Sequence, residues 1–281
     1  MLRKIKKLLQ EPAFRRRPLT VTGRLVAWAG CVLLKYRPVF SLTQGGEKFS
    51  VPPTLGYTPL SVFLLRDEVE PELYKLDLYV RPGDTFVDVG ANIGLFALKA
   101  ARLAGPQGRV VAAEPGRDAR EQLEANVALN GFTNVTVIES ALSDAEGQAT
   151  LHHVDKGNDP QAFSLLADGT EKSGETVSLT TLDKLVSTLG LARVDCIKID
   201  VEGFEAHVLR GAGETLARWH PTVIFEANCP TLLQSDLPRD GAWKLLEAHG
   251  YRFFRLDDGV ETPLSTMPAE FGNLVARFPA R

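Results

Sequence analysis

The sequence predicts an α/β fold in which a mostly parallel β-sheet carries helices on both faces. Three observations lead to this fold class. From residue 84 onward, short β-prone apolar runs alternate with segments of helical periodicity. The runs are apolar throughout, which is typical of strands buried on both faces of a sheet. The chain ends in two β-prone segments with no helical pattern between them, which predict an antiparallel pair at one edge of the sheet.

Each element follows from its own local pattern. Seven segments have the composition of strands in this sheet: 85–89, 109–113, 134–138, 195–200, 221–227, 251–256 and 273–277. Four segments between them have helical periodicity: 94–104, 117–130, 203–219 (one or two helices) and 240–250. Two more β segments, 147–154 and 175–182, are separated by a polar loop.

The first seventy residues do not follow this alternation, and we divide the chain into an N-terminal helical and hairpin extension, 1–70, and a main domain, 71–281. Turn glycines, short β-prone pieces and prolines in 45–57 predict a local hairpin or loop. The segment 70–84 predicts a helix that begins near Pro71 and ends at the sequence RPGD.

The beginning of the chain is strongly basic. It carries Arg3, Lys4, Lys6, Lys7, Arg15, Arg16 and Arg17 against the single acid Glu11. An uncharged stretch, 25–34, follows, about half of the roughly 20 residues that a spanning helix needs. Two hypotheses remain for residues 1–38: a helix packed on the main domain, or a basic amphipathic segment resting on an anionic membrane.

Composition narrows the function classes. The chain has 281 residues and a net charge of −3, so it has no overall positive field to hold a nucleic acid, and no nucleic acid partner is predicted. Cys31, Cys196 and Cys229 lie far apart, without the spacing of a zinc site. They predict reduced thiols and a cytoplasmic location, peripheral to the membrane if the second hypothesis for residues 1–38 holds.

The sequence DVGANIG after the first strand predicts a cofactor site. Ligands of such sheets bind beyond the carboxyl ends of the strands, and Gly90 and Gly94 let the backbone approach a ligand and adopt positive φ. The dinucleotide fingerprint has a glycine where Asn92 stands, so an NAD-dependent oxidoreductase is disfavoured. Asp88, ahead of the turn, suits a cationic ligand better than a phosphate.

S-Adenosylmethionine fits these residues, since it has an ammonium, a sulfonium and a ribose but no phosphate. Glu114 ends the second strand, where an acid can accept hydrogen bonds from both ribose hydroxyls. The third strand ends near the expected position of the adenine, so Ser140 and Ala141 are predicted to contact its edge. The predicted cofactor residues are Asp88, Gly90, Asn92, Gly94, Glu114, Ser140 and Ala141.

Six motifs occur in series: GDTFVDVGANIGLFAL, VVAAEPGRDAREQLEANVALNG, ESALSDAEGQATL, TLDKL, DCIKIDVEGFEAHVLRGA and IFEAN. They resemble the FkbM family of S-adenosylmethionine-dependent methyltransferases over residues 83–228, with a weaker echo in FGNLVARFP. The resemblance implies the Rossmann-like seven-stranded sheet of class I methyltransferases, with the last strand antiparallel. It also implies O-methylation of a sugar, glycolipid or secondary-metabolite hydroxyl. The family's usual EPNP is EPGR here, which keeps Glu114 but changes the loop after it.

Transfer to a sugar or lipid-linked hydroxyl needs a base near the transferred proton, or a metal that lowers the hydroxyl pKa. The motif KIDVEG puts Asp200 and Glu202 on the loop after the fourth strand, and Glu226 ends the fifth. We predict that Asp200 or Glu226 is the base and that Glu202 orients the cofactor or acceptor. The structural alternative is that these acids cap the following helices.

Several alternatives are less favoured. A cation shared by Asp200, Glu226 and Asn228 has no histidine cluster to support it, so no metal is predicted, and the five histidines are expected to be structural or on the surface. Lys198 is unusual in a buried strand and is expected to pair with an acid such as Asp88 or to reach the strand end. A nucleic acid methyltransferase would carry N/D-P-P-Y/F/W where this chain has DVEG. A catalytically silent cofactor-binding or membrane-associated module is the remaining alternative.

Overall fold

The computed structural model describes residues 12–153, 163–164, 174–227, 238–257 and 259–279. Within them the strands are β1 Val39–Ser41, β2 Lys48–Ser50, β3 Thr85–Val89, β4 Arg109–Ala113, β5 Val135–Ile138, β6 Ala141–Leu142, β7 Gly147–His153, β8 Phe163–Ser164, β9 Gly174–Thr180, β10 Cys196–Ile199, β11 Thr222–Ala227, β12 Arg252–Asp257, β13 Val260–Leu264 and β14 Gly272–Arg277.

The helices of the same residues are α1 Pro12–Arg16, α2 Pro18–Leu33, α3 Tyr57–Leu65, α4 Pro71–Tyr74, α5 Leu95–Ala104, α6 Arg117–Asn130, α7 Leu182–Thr188, α8 Glu205–Arg210, α9 Gly213–Trp219 and α10 Gly241–Ala248. Two short 3₁₀ segments, Arg66–Val69 and Leu76–Leu78, flank α4.

Eight of the described strands form one sheet in the order β13–β12–β14–β11–β10–β3–β4–β5. The strands β11, β10, β3, β4 and β5 run parallel to one another, whereas β14 runs antiparallel to both β11 and β12. Buried apolar residues pack against both faces of this sheet. The predicted fold class, a mostly parallel sheet with a reversed last strand, is confirmed.

The antiparallel pair predicted at the C-terminal edge is confirmed as β12 and β14, and this edge carries one strand that was not predicted. The strand β14 inserts between β11 and β12, and β13 adds an eighth strand outside β12. The sequence of β13, VETPL, shows little apolar character, and its side chains are half-buried or exposed. Because β13 is an edge strand, it tolerates Pro263 and lacks the apolar pattern by which inner strands are recognised.

A second sheet follows β5 and has the order β6–β9–β7–β8. It contains both β segments predicted in this region, as β7 and β9, which pair antiparallel from Gly147↔Leu179 to His152↔Gly174. Most of the polar loop between them lies outside the described residues. The short strand β6 pairs parallel with β9 and joins this sheet to the end of β5.

The N-terminal segment shares an apolar cluster with the main sheet's helices. Val21 and Trp28 of α2, Phe49 of β2 and Phe63 of α3 pack with one another and with residues that include Leu98 of α5. The helix α3 was not predicted because YTPLSVFLL is apolar all round and shows no periodicity. The helix predicted over 70–84 is shorter, since only α4 and a 3₁₀ turn form there.

Three amides on one face of α6 attach β2 to the main domain. Asn130 bonds both Lys48 N and Lys48 O, and Gln122 donates to Ser50 O. Asn126, fully buried between them, accepts from Ser50 N at 3.0 Å and donates to Ile93 O at 3.0 Å. The hairpin therefore helps to position the loop between β3 and α5, which contains Ile93.

Among the described residues, no helix is both long enough and apolar enough to cross a membrane. Cys31 and Cys196 are free thiols, and Cys229 lies outside the described residues.

Candidate cofactor and methyl-transfer site

The loop between β3 and α5 has an alternating backbone conformation. Gly90, Asn92 and Gly94 have φ values of +77°, +48° and +95°, in the left-handed region. Both glycines thus adopt the positive φ expected of them, and asparagine tolerates this region better than most residues. The N–H groups of Gly90 and Ala91 both bond Ala113 O at 3.0 Å, which closes the turn against the end of β4.

Gly90 is also in direct contact with the loop after β10. A Cβ built on Gly90 would overlap the carbonyl oxygen of Asp200 and approach the Val201 side chain to 3.3 Å. The N–H of Asp200 donates to Val89 O at 3.0 Å. The two predicted loops, DVGANIG and KIDVEG, are therefore adjacent at the carboxyl edge of the sheet, and the absence of a side chain at Gly90 allows this approach.

Glu114 connects the same turn to the loop after β4. Its two carboxylate oxygens accept from Asn92 N and Gly116 N, each at 2.8 Å, and the side chain is buried. Burial raises the pKa of Glu114 to about 7, although the two backbone N–H groups work in the opposite direction. Each oxygen keeps a second lone pair, so Glu114 can still accept a hydroxyl hydrogen bond.

Ser140 and Ala141 lie where β5 passes into β6, beyond the carboxyl end of β5. Ser140 is partly exposed and Ala141 is buried. The neighbouring Glu114 N bonds Ile138 O at 3.0 Å, so the ends of β4 and β5 are held side by side. The predicted adenine contacts thus follow the strand next to Glu114.

A buried lysine is surrounded by carboxylates on one face of the sheet. Lys198 is fully buried on β10, opposite Asp88 of β3 in the strand register. Its Nζ lies 3.2 Å from Asp200 Oδ2. Burial opposes the charge of Lys198, but Asp200, Glu70, Glu226 and Asp88 outweigh burial and raise the pKa of this lysine above its ordinary value. Lys198 is therefore an ammonium group and does not serve as a base.

Asp88 is the predicted acid ahead of the turn, and it is buried with 2% of its surface exposed. Burial raises the pKa of Asp88 to about 7, against the opposing effect of Lys198. Its Oδ2 has no hydrogen-bond partner among the described residues. A buried carboxylate oxygen without a partner is costly unless a ligand or water supplies one.

Sequence reasoning missed the partners that complete this cluster. Asn273 on β14 donates to Glu70 Oε2 at 3.1 Å and to Glu72 Oε2 at 3.3 Å, while its Oδ1 lies 3.5 Å from Lys198 Nζ. Burial raises the pKa of Glu70 to about 7. The only sequence signal was the weak motif FGNLVARFP, because Asn273 and Glu70 are distant in the chain and meet only through the sheet order.

The three predicted catalytic acids have different environments. Asp200 pairs with Lys198, yet 36% of its side chain is exposed, so it can reach both the buried lysine and a bound acceptor. Glu202 lies on the adjacent loop with φ of +55° and is half-buried. Glu226 is half-buried on β11, opposite Asn273, and adds to the negative charge around Lys198. Asp200 is thus both ion-paired and accessible to solvent.

Glu205 stabilises the KIDVEG loop and was not singled out by sequence reasoning. Its Oε1 accepts from Gly203 N at 3.1 Å and Val201 N at 3.4 Å, and the side chain is buried. Burial raises the pKa of Glu205 to about 7. The buried carboxylate of Glu205 thus stabilises the backbone of the loop that carries Asp200 and Glu202.

The described residues fit S-adenosylmethionine. The carboxylates Glu70, Asp88, Asp200 and Glu226 outnumber the one ammonium they surround, which favours a cationic ligand. The unsatisfied oxygen of Asp88 can accept a bond from an ammonium group, and Glu114 can accept bonds from a ribose. Asp88, Gly90, Asn92 and Glu114 would therefore hold the methionine and ribose parts of the cofactor.

Among the described residues, no three or more histidine, cysteine, aspartate or glutamate side chains are arranged so that they could hold a metal ion. Asn228, which the cation hypothesis needs, lies outside them. His207 of α8 has a structural partner, since its Nδ1 lies 3.1 Å from Asp144 Oδ2 and its ring stacks on Phe204 at 4.0 Å. Partial burial works against the charge of Asp144, but His207 holds the pKa of this carboxyl below its ordinary value.

Comparison with known proteins identifies the family of this chain. The family described as the Methyltransferase FkbM domain matches residues 88–253. The chain is 31% identical over 218 residues to the AMB antimetabolite synthetase AmbE of Pseudomonas aeruginosa, covering 64% of this chain but 10% of that protein. It is 31% identical over 208 residues to methyltransferase sdnD of Sordaria araneosa, covering 64% of this chain and 78% of that protein.

A third relative is the 31-O-demethyl-FK506 methyltransferase FkbM of Streptomyces tacrolimicus. It is 30% identical over 177 residues, which cover 53% of this chain and 67% of the relative. The family match covers more than half of the chain and includes the glycine turn, Glu114 and the KIDVEG loop. The chain therefore belongs to the FkbM family of S-adenosylmethionine-dependent methyltransferases.

Proposed function

We propose that the chain transfers the methyl group to a hydroxyl of a sugar, glycolipid or secondary metabolite, with Asp200 as the base. The observation that carries this proposal is the position of Asp200, partly exposed beside the glycine turn and ion-paired with Lys198. The relative from Streptomyces tacrolimicus is named for a 31-O-demethyl acceptor, which supports an oxygen as the methylated atom.

S-Adenosylmethionine, when bound, supplies a methyl group that its sulfonium has already activated. The chain's own residues align the acceptor and exclude water. Asp200 Oδ would take up the hydroxyl proton as the acceptor oxygen bonds to the methyl carbon and the carbon–sulfur bond breaks, which leaves the sulfur as a neutral thioether. Lys198 Nζ, 3.2 Å from Asp200 Oδ2, holds this carboxylate in position through an ion pair. Glu202 and Glu226 line the same rim and would orient the acceptor.

Cofactor binding is expected to strengthen as the pH rises from 6 to 7.5. Burial raises the pKa of Asp88 and of Glu114 to about 7, so both are mostly protonated at pH 6 and mostly ionised at pH 7.5. The ionised forms bind an ammonium and a ribose better, and each carboxyl contributes up to roughly tenfold in affinity over this interval. Isothermal titration calorimetry with S-adenosylmethionine measures the effect.

In the same titration Asp88→Asn should bind more weakly at pH 7.5 and show a shallower pH dependence than the wild type. Glu124→Gln, which removes an exposed acid on α6, is the matched control and should behave like the wild type. A wild-type affinity that does not change with pH would show that the ionisation of Asp88 and Glu114 does not contribute to cofactor binding. No heat at any pH would contradict the cofactor site itself.

The acceptor class is tested by incubating the protein with methyl-labelled S-adenosylmethionine and separate pools of sugars, lipids and small metabolites. We expect label in a product whose methyl group is lost under ether-cleaving conditions, and a rate of labelling lower by roughly 10²-fold or more with Asp200→Asn. Cofactor binding without label in any pool would instead favour the catalytically silent module. Label attached to nitrogen or carbon would overturn O-methylation.

A further inference from the structure

The helix α2 has one face packed on the rest of the chain. Val21 and Trp28 are buried, and Leu25 and Val32 are partly buried against the same cluster. Trp28 Nε1 donates to Thr54 O at 3.2 Å, and the one charged residue of α2, Arg24, donates to Leu64 O at 2.7 Å. The helix is therefore firmly attached through this face.

The opposite face of α2 is apolar and exposed. Leu19, Val26 and Leu33, spaced by seven residues and hence on one side of the helix, are 89%, 71% and 83% exposed. Leu34 and Tyr36, just after the helix, are 76% and 63% exposed. A surface helix normally presents charged or polar residues to water. Contiguous exposed apolar surface of this kind marks an interaction site.

Basic residues lie at both ends of this apolar face. Arg15, Arg16 and Arg17 precede the helix, and Lys35 and Arg37 follow it, all of them exposed. Arg16 and Arg17 lie 3.5 and 3.6 Å from Glu68, so part of their charge is offset. Residues 12–46 contain no acid, and residues 1–46 carry ten bases against Glu11, whereas residues 47–281 carry 22 bases and 34 acids.

We propose that the outward face of α2 docks on a lipid bilayer that contains anionic lipids. Leu19, Val26 and Leu33 would enter the boundary between headgroups and acyl chains, and the flanking bases would contact the lipid phosphates. Charge complementarity favours this partner, because the lipid phosphates of one leaflet surround the apolar region that the helix face would enter and can contact the bases at both ends of the helix. A second copy of the chain would bring two basic regions together. The proposal does not depend on the identity of the methyl acceptor.

The test is flotation of the full chain with vesicles of phosphatidylcholine alone or with about one-third phosphatidylglycerol. Truncation is unsuitable, because removing α2 would expose the cluster around Phe49 and Phe63. We expect the wild type to float with anionic vesicles and much less with neutral ones. Val26→Glu should lower the fraction bound to anionic vesicles by roughly tenfold or more, as should Arg15→Gln combined with Lys35→Gln and Arg37→Gln.

The matched control is Val260→Glu. Val260 is 66% exposed on the edge strand β13, so the substitution removes a similar apolar surface and adds the same charge away from α2. Val260→Glu should float like the wild type. Val26→Glu and Val260→Glu should both keep the wild-type melting temperature and cofactor affinity. Equal flotation of Val26→Glu and wild type would overturn the proposal. So would a wild-type dimer that Val26→Glu dissociates without any change in vesicle binding.

Discussion

Asp200→Asn is expected to lower the methyl-transfer turnover number by roughly 10²–10⁴-fold, the usual contribution of a general base. The asparagine keeps the size of the side chain but cannot accept the hydroxyl proton. Lys198 stays paired, because Glu70, Glu226 and Asp88 also surround it. The affinity for S-adenosylmethionine should therefore change little. Turnover is measured with labelled cofactor and the acceptor found in the pool experiment, and affinity by calorimetry.

The control for this experiment is Asp195→Asn at the opposite end of the same strand. Asp195 Oδ2 accepts from Thr85 N at 2.8 Å, and asparagine can keep an acceptor there. We expect wild-type turnover from this variant, since the amino end of β10 is remote from the glycine turn. Wild-type turnover from Asp200→Asn would assign that carboxylate to neutralising Lys198, and Glu226 would become the candidate base.

Gly90→Ala is expected to destabilise the protein by roughly 2–5 kcal/mol and to abolish measurable cofactor binding. The φ of +77° at Gly90 is strained for any residue with a Cβ. The added Cβ would also overlap the carbonyl oxygen of Asp200, so the two loops of the site must separate. Urea unfolding gives the loss of stability, and calorimetry gives the loss of binding.

The variant Gly131→Ala separates the effect of backbone strain from the effect of the Cβ overlap. Gly131 ends α6 with φ of +64°, and a Cβ there would meet no atom within 4 Å. This variant therefore has the backbone strain without the overlap and should lose only about 1 kcal/mol, with normal cofactor affinity. If Gly90→Ala were no worse than Gly131→Ala, the close approach of the two loops would not matter for the site.

The parts of the site that the sequence predicted are local in the chain. The motif DVGANIG contains the glycines, the asparagine and the acid within seven residues, and the positive φ of Gly90 and Gly94 follows from glycine's lack of a Cβ. The motif KIDVEG likewise placed Asp200 after a buried strand. Parallel strands bring their carboxyl ends to one edge, so the meeting of these two loops could be anticipated.

The parts that were missed depend on contacts between distant residues. The sequence of α3 is apolar all round, and that of β13 is polar at an edge, so neither shows the periodicity by which elements are recognised. Asn126 holds both Ser50 of β2 and Ile93 of the glycine turn, and no local pattern pairs residues so far apart. Glu205 was also missed, because its hydrogen bond from Gly203 N forms only when the loop after β10 folds back over this side chain.

By itself, the sequence determined the fold class, the family and the two loops of the candidate cofactor site, because strand composition, helical period and turn glycines act over a few residues. Only the tertiary structure decided which acids surround Lys198. The strand order β14–β11–β10–β3 brings Asn273, Asp200 and Asp88 close to this lysine. Glu70 of the N-terminal segment joins them through its hydrogen bond from Asn273. Burial then raises the pKa of Glu70 and of Asp88, and this desolvation depends on the folded environment and not on the neighbours in the chain.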